Sequence, residues 1–540
     1  MYNPNSSEEQ ARIQYYKRRY NRAYTIAVQW WAIEQACYHF AVPCRDLFYW
    51  TNYSQGAEKN GRVYDTTAVW ATRNFVSKIQ NALTPPKQTW ASLVPGTDFE
   101  TGGANEAEQT QEGEIKDKVS KLCEKFTETV FKYIKRSNFD LAIAECYFDL
   151  AVGTACLMVN EGTDEDPLRF HSVPMNQLCV EDSINGMINT VYRTYGEVRI
   201  IDIPMMWPKA KLPVWAEALL EQDPNVTIKN LYEGVVYIQE NEPTPFRVVL
   251  WCDSDILMEY DDVSSPWIVF RWSKINNEAM GRGPLMDALP SILSLNELAR
   301  LELTSANLNV CKPYMAYSDG VFSPYLFNLQ PNTIIPIAPN AAGQFPIQPL
   351  PDVANPQFFQ MTSMDLRQQI NNLLYANPLG QANDGPTRTA TELALRQRNL
   401  SEEIGPVFTR LQSELLDRVI NRIVYILKKK GLIEPIVING RELDLKYQSP
   451  LVVAQGQLEV QGFLQYFQAV QGVYGPEGAI TTLNPGYVQY WMAEKLGVDM
   501  RLLADRDKFN ASLKSNSEQY QQAQLDSLAA PAGLPGTVPQ

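Results

Sequence analysis

The stretch Asn377-Pro378-Leu379-Gly380-Gln381-Ala382-Asn383-Asp384-Gly385-Pro386-Thr387-Arg388-Thr389-Ala390-Thr391-Glu392 opens as a loop and becomes a long helical pattern that runs to Gly431. Proline, glycine and asparagine crowd its first ten positions and favour a loop there. Thr389 with Glu392 three residues on reads as a capping box. Apolar residues then recur at Leu393, Leu400, Ile404, Phe408, Leu411, Leu415, Val419, Ile423 and Leu427, mostly four apart. That spacing draws one buried stripe on a helix. Arg396, Arg398, Glu402, Glu403, Arg410, Glu414, Arg418 and Arg422 lie between them and are expected on a solvated or partner-facing side. Lys428, Lys429 and Lys430 suit the negative helix end, and Gly431 stops it. The helix over 389–431 should run roughly 65 Å at about 1.5 Å per residue, with a kink at Gly405-Pro406. A flexible loop on a stiff lever is a mechanical part. The plain alternative is an ordinary bundle helix of a large protein.

Composition narrows the classes. A chain of 540 residues with 45% hydrophobic content should form several domains. Its 47 Lys and Arg against 61 Asp and Glu give a net charge of -14, which argues against tight, non-specific nucleic-acid binding over the whole surface. The eight cysteines contain no C-x-x-C pair, so a reduced state is expected. Only two histidines occur, His39 and His171, which disfavours His-based metal sites and Ser-His-Asp or Cys-His catalysis. There is no G-x-x-x-x-G-K-[ST] phosphate loop. Asp261-Asp262 and Glu402-Glu403 are chain neighbours whose side chains should diverge, which does not suit a glycosidase carboxylate pair. No catalytic residue, metal or cofactor is expected. The N-terminus is polar with no signal peptide, and the most apolar stretch, Leu141 to Val159, carries Glu145 and Asp149. It reads as a buried helix running into a strand, with no membrane span.

Along the chain, helix is expected over 8–50, with Trp30 and Trp31 in the core, and from Asp65, as a cap, to Leu83. A short strand follows at 90–93, an acidic loop at 96–114, and helices at 116–135 and 138–150. Strand character marks 154–159, 169–180, 187–195, 226–240, 246–260 and 266–273, with a hairpin signal at Asn185-Gly186 and a helix near 208–222. A Gly281-Arg282-Gly283-Pro284 turn precedes a helix over 285–310, in which Pro290 is tolerable only near the start. A Pro-rich module at 318–356 and a helix at 358–376 follow. No Lys or Arg occurs from Pro313 to Leu366. A hairpin at 436–447 turns at Asn439-Gly440, helices start at Pro450, 484 and 501, and the tail from Ala529 reads as disordered.

Five segments, in this order, resemble the portal (head-to-tail connector) proteins of short-tailed, T7-like bacteriophages. They are Tyr64-Asp65-Thr66-Thr67-Ala68 with Leu83-Thr84-Pro85-Pro86 and Trp90; Val152-Gly153-Thr154-Ala155; Gly281-Arg282-Gly283-Pro284 with Leu295-Asn296; Arg388-Thr389-Ala390-Thr391-Glu392 with Gly405-Pro406; and Tyr447-Gln448-Ser449-Pro450-Leu451. Ala91 departs from the pattern, where a second aromatic after Trp90 would fit. The resemblance implies a mainly helical α+β protomer with an α/β wing (1–280), stem helices (281–317 and 357–376), an α/β clip (318–356), a tunnel loop (377–388), a long wing helix (389–431), a helical crown region (432–515) and a disordered tail (516–540). It further implies a dodecameric ring at the capsid portal vertex of the virion, assembled in the host cytoplasm, through which double-stranded DNA is packaged and ejected. Partners in that scheme are the major capsid protein, the scaffolding protein, the terminase large subunit and the tail adaptor protein. Tunnel-loop residues would be Asn377, Gln381, Asn383, Asp384, Thr387 and Arg388. Clip docking would fall to Phe322, Tyr325, Phe327 and Phe345. Arg388 either faces DNA or pairs with Glu392 at i,i+4. A cation-free stem and clip fits a bore that passes DNA without holding it. Two rivals stay open: another virion or assembly protein, and a carboxylate-based hydrolase.

Overall fold

The computed structural model describes residues 5–45, 61–94, 122–182, 186–223, 225–238, 243–252, 255–310, 314–316, 347–349, 356–376, 405–433, 444–447, 450–481, 483, 485–496 and 498. They form a mainly helical α+β fold. Helix α1 (Asn5–Ala41) is shorter than the expected 8–50, because Pro43 follows and opens a 3-10 turn, Pro43–Arg45. Its buried Tyr16, Tyr20, Ala23 and Ala27 recur at helical spacing and pack on Cys179, Tyr192, Val236, Val249 and Trp251. Trp30 and Trp31 are half-buried rather than core, and Trp30 lies under the Arg282 guanidinium. Arg12 and Tyr16 both donate to Glu259, each at 2.8 Å, and Arg19 donates to Glu181 at 2.5 Å.

Helix α2 (Thr67–Leu83), a helix over 122–136 (α3) and α4 (Phe139–Val152) enclose the main core. Trp90 stacks between Phe131 and Phe139 with ring centroids 5.3 and 5.9 Å away. Strand β1 (Ala91–Val94) follows it. As the Leu141–Val159 reading anticipates, α4 ends at Val152, and β2 (Thr154–Glu161) begins after Gly153. The expected strand at 169–180 is two, split at Val173-Pro174: β3 (Leu168–Ser172) and β4 (Leu178–Glu181) lie in different sheets. The latter joins β5 (Thr190–Arg199) in the anticipated hairpin, with Glu181 opposite Thr190 and Gly186 at φ +74 in the loop.

After β5, the helix expected near 208–222 is α6 (Val214–Gln222), preceded by one turn, α5 (Ile203–Met206). The run at 246–260 is also two strands, so β6 (Thr227–Tyr237), β7 (Phe246–Trp251) and β8 (Ile256–Asp262) complete a five-stranded antiparallel meander in order β4-β5-β6-β7-β8. Strand β9 (Trp267–Arg271) closes the three-stranded sheet β3-β2-β9. Two long helices follow, α7 (Pro284–Val310) and α8 (Pro356–Leu373), with a short ribbon between them in sequence: β10 (Tyr314–Ala316) antiparallel to β11 (Ile347–Pro349).

Of the long helix expected over 389–431, residues 389–404 lie outside the described residues. The described part, α9 (405–429), is α over 405–411, makes a π turn at Gln412–Leu416 and continues α over Asp417–Lys429. The π turn is an irregularity that the periodicity did not announce. The wider turn buries three consecutive residues, Glu414, Leu415 and Leu416. Charges expected in solvent are therefore inside. Glu414 pairs with Arg271 and Arg422 pairs with Asp262 at 2.8 Å, and all four residues are buried. Arg418 donates to the Ile188 carbonyl at 2.7 Å and to Asn189 Oδ1 at 2.9 Å. Gly431, at φ +68, ends the helix as expected. Of the hairpin expected at 436–447, residues 436–443 lie outside the described residues. Strand β12 (Asp444–Tyr447) pairs antiparallel with β1, Ala91 opposite Tyr447, a pairing the sequence did not announce. Helices α10 (Pro450–Thr481) and α11 (Pro485–Leu496) pack together near the C-terminal end. No described helix is long and apolar enough to cross a membrane.

Under α1 lies a buried acid pair. Asp149 of α4 accepts from Tyr38 Oη at 2.7 Å and faces Arg45 at 3.3 Å. Burial raises its pKa to about 6, against the opposing pull of Arg45 and Tyr38. Glu34 is 2% exposed, and burial, with Asp149 nearby, pushes its pKa up to about 8. A folded-state pKa above the unfolded value means that the folded protein holds the proton more tightly. Glu34 thus contributes stability that is full below about pH 4.5 and is lost as pH rises to about 8. Glu34→Gln removes that loss. The variant should gain thermal stability over the parent progressively from pH 5 to 8, by up to a few kcal/mol. Parallel melting curves of unchanged separation across that range would contradict the assignment.

Candidate functional site

The site begins at a backbone junction. The α4–β2 turn, the end of β9 and the approach to α7 meet so closely that a Cβ on Gly153 would lie 2.1 Å from the Gly281 carbonyl oxygen. A Cβ on Gly283 would lie 2.3 Å from the Ala151 carbonyl oxygen. Only glycine permits this approach. Hydrogen bonds stitch the junction: Trp272 N–H to the Gly153 carbonyl at 2.9 Å, Gly283 N–H to the Val152 carbonyl at 2.9 Å, and Gly281 N–H to Thr154 Oγ1 at 2.7 Å. Helix α7 leaves from here, and Pro290, in its second turn, does not end it.

A second knot ties both long helices to the entry of α2, gripping α7 midway along its length. Asn296 of α7 accepts the Tyr64 N–H at 2.7 Å and donates to the Arg62 carbonyl at 3.0 Å. The N-cap position of α2 falls on Thr66 and not on Asp65 as expected; Asp65, just before it, accepts the Thr67 N–H at 2.8 Å, and its other oxygen takes Arg367 of α8 at 2.8 Å. Burial opposes ionisation of Asp65, but the bonds from Thr67 and Arg367 prevail and hold its carboxyl below the usual range. Lys78 of α2 donates to the Tyr375 carbonyl just past α8, at 2.7 Å. Three of the five motif segments picked out in the sequence, those around residues 65, 153 and 281–296, therefore fix the first half of α7.

The helix pair carries little positive charge. Residues 284–310 and 356–373 contain two arginines, Arg300 and Arg367, against Asp287, Glu297, Glu302 and Asp365. Arg300 is paired with Glu297 at 2.6 Å and Arg367 with Asp65 at 2.8 Å. Acid thus exceeds base on these helices, and the exposed face adds large apolar side chains: Phe358, Met361 and Met364 on α8 are 64%, 69% and 66% exposed, and Leu301 and Leu303 stand out from α7. Among the described residues no group of His, Cys, Asp and Glu could hold a metal ion. Asp261 and Asp262 diverge as expected, the first exposed and paired with Arg247 at 2.6 Å, the second buried against Arg422.

The site residues named from sequence, Asn377, Gln381, Asn383, Asp384, Thr387 and Arg388, and Phe322, Tyr325, Phe327 and Phe345, lie outside the described residues, as do Glu392, Glu402 and Glu403. What flanks them is described. The ribbon β10–β11 pairs the chain just before the Pro-rich module with residues near its end, Ala316 opposite Ile347. Sequence reading missed Asn296 as a clamp and Arg367 as the partner of Asp65. The one available signal was an amide inside a leucine-rich stripe. Asn296→Ala removes three bonds midway along α7 and should lower stability by ~1–3 kcal/mol in denaturant unfolding; an unchanged midpoint would show the clamp to be idle.

With this arrangement in hand, comparison with known proteins is informative. The family described as "Bacteriophage head to tail connecting protein" matches residues 14–503. A "Probable portal protein" of Bordetella phage BPP-1 is 19% identical over 539 residues, covering 94% of this chain and 92% of that protein. A "Portal protein" of Salmonella phage epsilon15 is 21% identical over 519 residues, covering 90% and 87%. Among solved structures, the neck of an empty gene transfer agent particle aligns at a TM-score of 0.38 and 12% identity, over 85% of this chain and 100% of that one. The virion of a native gene transfer agent particle aligns at 0.33 and 13%, over 63% and 80%. Both scores are too low to bear on the fold. The family match spans nearly the whole chain, and the chain belongs to the bacteriophage head to tail connecting protein family.

Proposed function

We propose that this head-to-tail connecting protein assembles into a ring at the portal vertex of the capsid and passes double-stranded DNA through its centre. One observation carries the reading: α7 and α8, tied to the body, have both of their arginines committed to carboxylates. Phosphate contacts are made with Lys and Arg and release counterions, so a wall with none to spare binds DNA weakly and lets it slide. The exposed Phe358, Met361 and Met364 support contact with a second copy, since a row of large apolar groups in water is costly and a cyclic ring covers it in every protomer. In this reading α7 and α8 are the stem, 318–356 the clip with Phe322, Tyr325, Phe327 and Phe345 as docking side chains, and 377–388 the tunnel loop. The wing holds residues 1–280 and 389–431, and the crown region lies within 432–515. The ring is a dodecamer, as in short-tailed, T7-like phages. The major capsid protein, scaffolding protein, terminase large subunit and tail adaptor dock on it, and it assembles in the host cytoplasm before residing in the virion. The role is structural, without chemistry of its own.

Negative-stain imaging of the purified protein should show rings with a central hole; compact monomers alone would overturn the reading. Deleting Gln381 to Gly385 should leave rings intact while lowering DNA filling of heads, and normally filled heads would remove 377–388 from the channel. Adding lysines to the stem (Gln360→Lys with Gln368→Lys) should strengthen DNA binding and steepen its salt dependence by about one counterion per contact made. Unchanged binding in a gel-shift titration would place α8 off the DNA path.

A further inference from the structure

Arg271 is wholly buried at the end of β9, and its bonds reach three separate parts of the chain. Its guanidinium and backbone N–H hold both oxygens of Glu414, with NH2 to Oε1 at 2.6 Å and the backbone N–H to Oε2 at 3.0 Å. Its NH1 donates to the Ala279 carbonyl at 3.1 Å, two residues before Gly281. Its NH2 also reaches the Gly186 carbonyl at 2.7 Å, in the β4–β5 loop. The backbone beside it leaves no slack, because a Cβ on Gly281 would come within 2.7 Å of the Arg271 Cβ. Glu414 itself sits in the π turn of α9. Such turns are uncommon and cluster at working sites.

From this we infer that Arg271 is the positioning residue that couples α9 to the base of α7. Any rotation of α9 at its π turn carries Glu414, Glu414 carries the guanidinium, and the guanidinium carries the 279–283 backbone from which α7 starts. The order of charges along α9 fixes one register. Glu414, Arg418 and Arg422 lie four apart and face, in turn, an arginine, the carbonyl and amide oxygens of residues 188 and 189, and an aspartate. A one-turn slip that brought Arg418 to the Glu414 position would set it against Arg271, like charge to like, in a buried site. The helix therefore transmits rotation instead of sliding. In function the inference rests on the portal reading, because it gives the chain after the proposed tunnel loop a mechanical route to the stem. The coupling itself does not require DNA.

Amide hydrogen exchange on the full-length protein tests it. Arg271→Met should speed exchange in 405–416 and in 279–287 together, by about tenfold or more, while α2 keeps its protection. Arg422→Met, which breaks the neighbouring pair on the same helix, should speed exchange in α9 and at the end of β8 but leave 279–287 unchanged. Glu414→Gln keeps the shape and loses the charge. It should show the Arg271→Met pattern more weakly, and it decides the matter if Arg271→Met does not fold. Unchanged protection at 279–287 in Glu414→Gln, or equal loss there in Arg422→Met, overturns the coupling. Because this readout needs neither DNA nor partner, its failure is distinct from failure of the ring and filling experiments.

Discussion

The contact on which the rest of the molecule depends is backbone against backbone at Gly153, Gly281 and Gly283. A helix, two strands of one sheet and the start of α7 converge there at distances that any side chain would prevent. On one side of this point lies the core of α2, α3, α4 and the three-stranded sheet; on the other, α7 and α8 leave as a pair. Because the junction is made of main-chain hydrogen bonds in a dry interior, it has a single geometry. The direction of α7 is thus set by the core and not by the length of the helix. The knot of Arg62, Asp65, Asn296 and Arg367 then ties α7, midway along its length, and α8 to the entry of α2. The direction of α7 is thus fixed at two points, its root and its middle.

Around this junction the protein places charges where an ordinary core would use leucine. Burying an ion pair costs desolvation that its attraction only just offsets, so such pairs add little stability over a well-packed apolar replacement. Their gain is specificity. Arg271 with Glu414, and Arg422 with Asp262, accept one partner in one orientation, where an apolar stripe would tolerate a shift of a turn. The aromatic interface between α1 and the five-stranded sheet differs in kind: Tyr16, Tyr20, Tyr192, Tyr232 and Trp251 stack with broad tolerance and contribute burial. Adhesion comes from the aromatic contacts and alignment from the buried ion pairs.

The sequence was informative where a pattern is local. The stripe Phe408, Leu411, Leu415, Val419, Ile423, Leu427 is buried as its period requires, and the passage from α4 to β2 follows from an apolar run broken by glycine. It misled where a partner is distant. Glu414, Arg418 and Arg422 look solvated because polarity on a helix usually means water; nothing near them in sequence announces Arg271, Asn189 or Asp262. Nothing near Asp444–Tyr447 announces its pairing with β1, far up the chain. Pro174 should have divided 169–180, since proline cannot donate inside a sheet. At the candidate site the motifs at 65, 153, 281 and 296 could be recognised as an ordered set, but not as one place, because proximity across the fold leaves no mark on spacing.

The charge of the whole chain gains meaning from this arrangement. A net -14 would, spread evenly, repel DNA everywhere, and a channel lined that way would resist filling as well as release. The described cations are not spread evenly. Arg12, Arg19 and Lys429 join separate elements of the body, to Glu259, Glu181 and Glu161, while Arg300 and Arg367 on the long helices are each neutralised by a carboxylate. What α7 and α8 present is therefore polar, apolar and mildly acidic surface, since they carry Asp287, Glu297, Glu302 and Asp365 against two arginines that are both paired. In the proposed channel such a wall offers a phosphate backbone no cation to hold it, and any grip would come from elsewhere in the chain. The sequence holds its next cation after Arg367 at Arg388, within the segment first marked out as the fold's mechanical part.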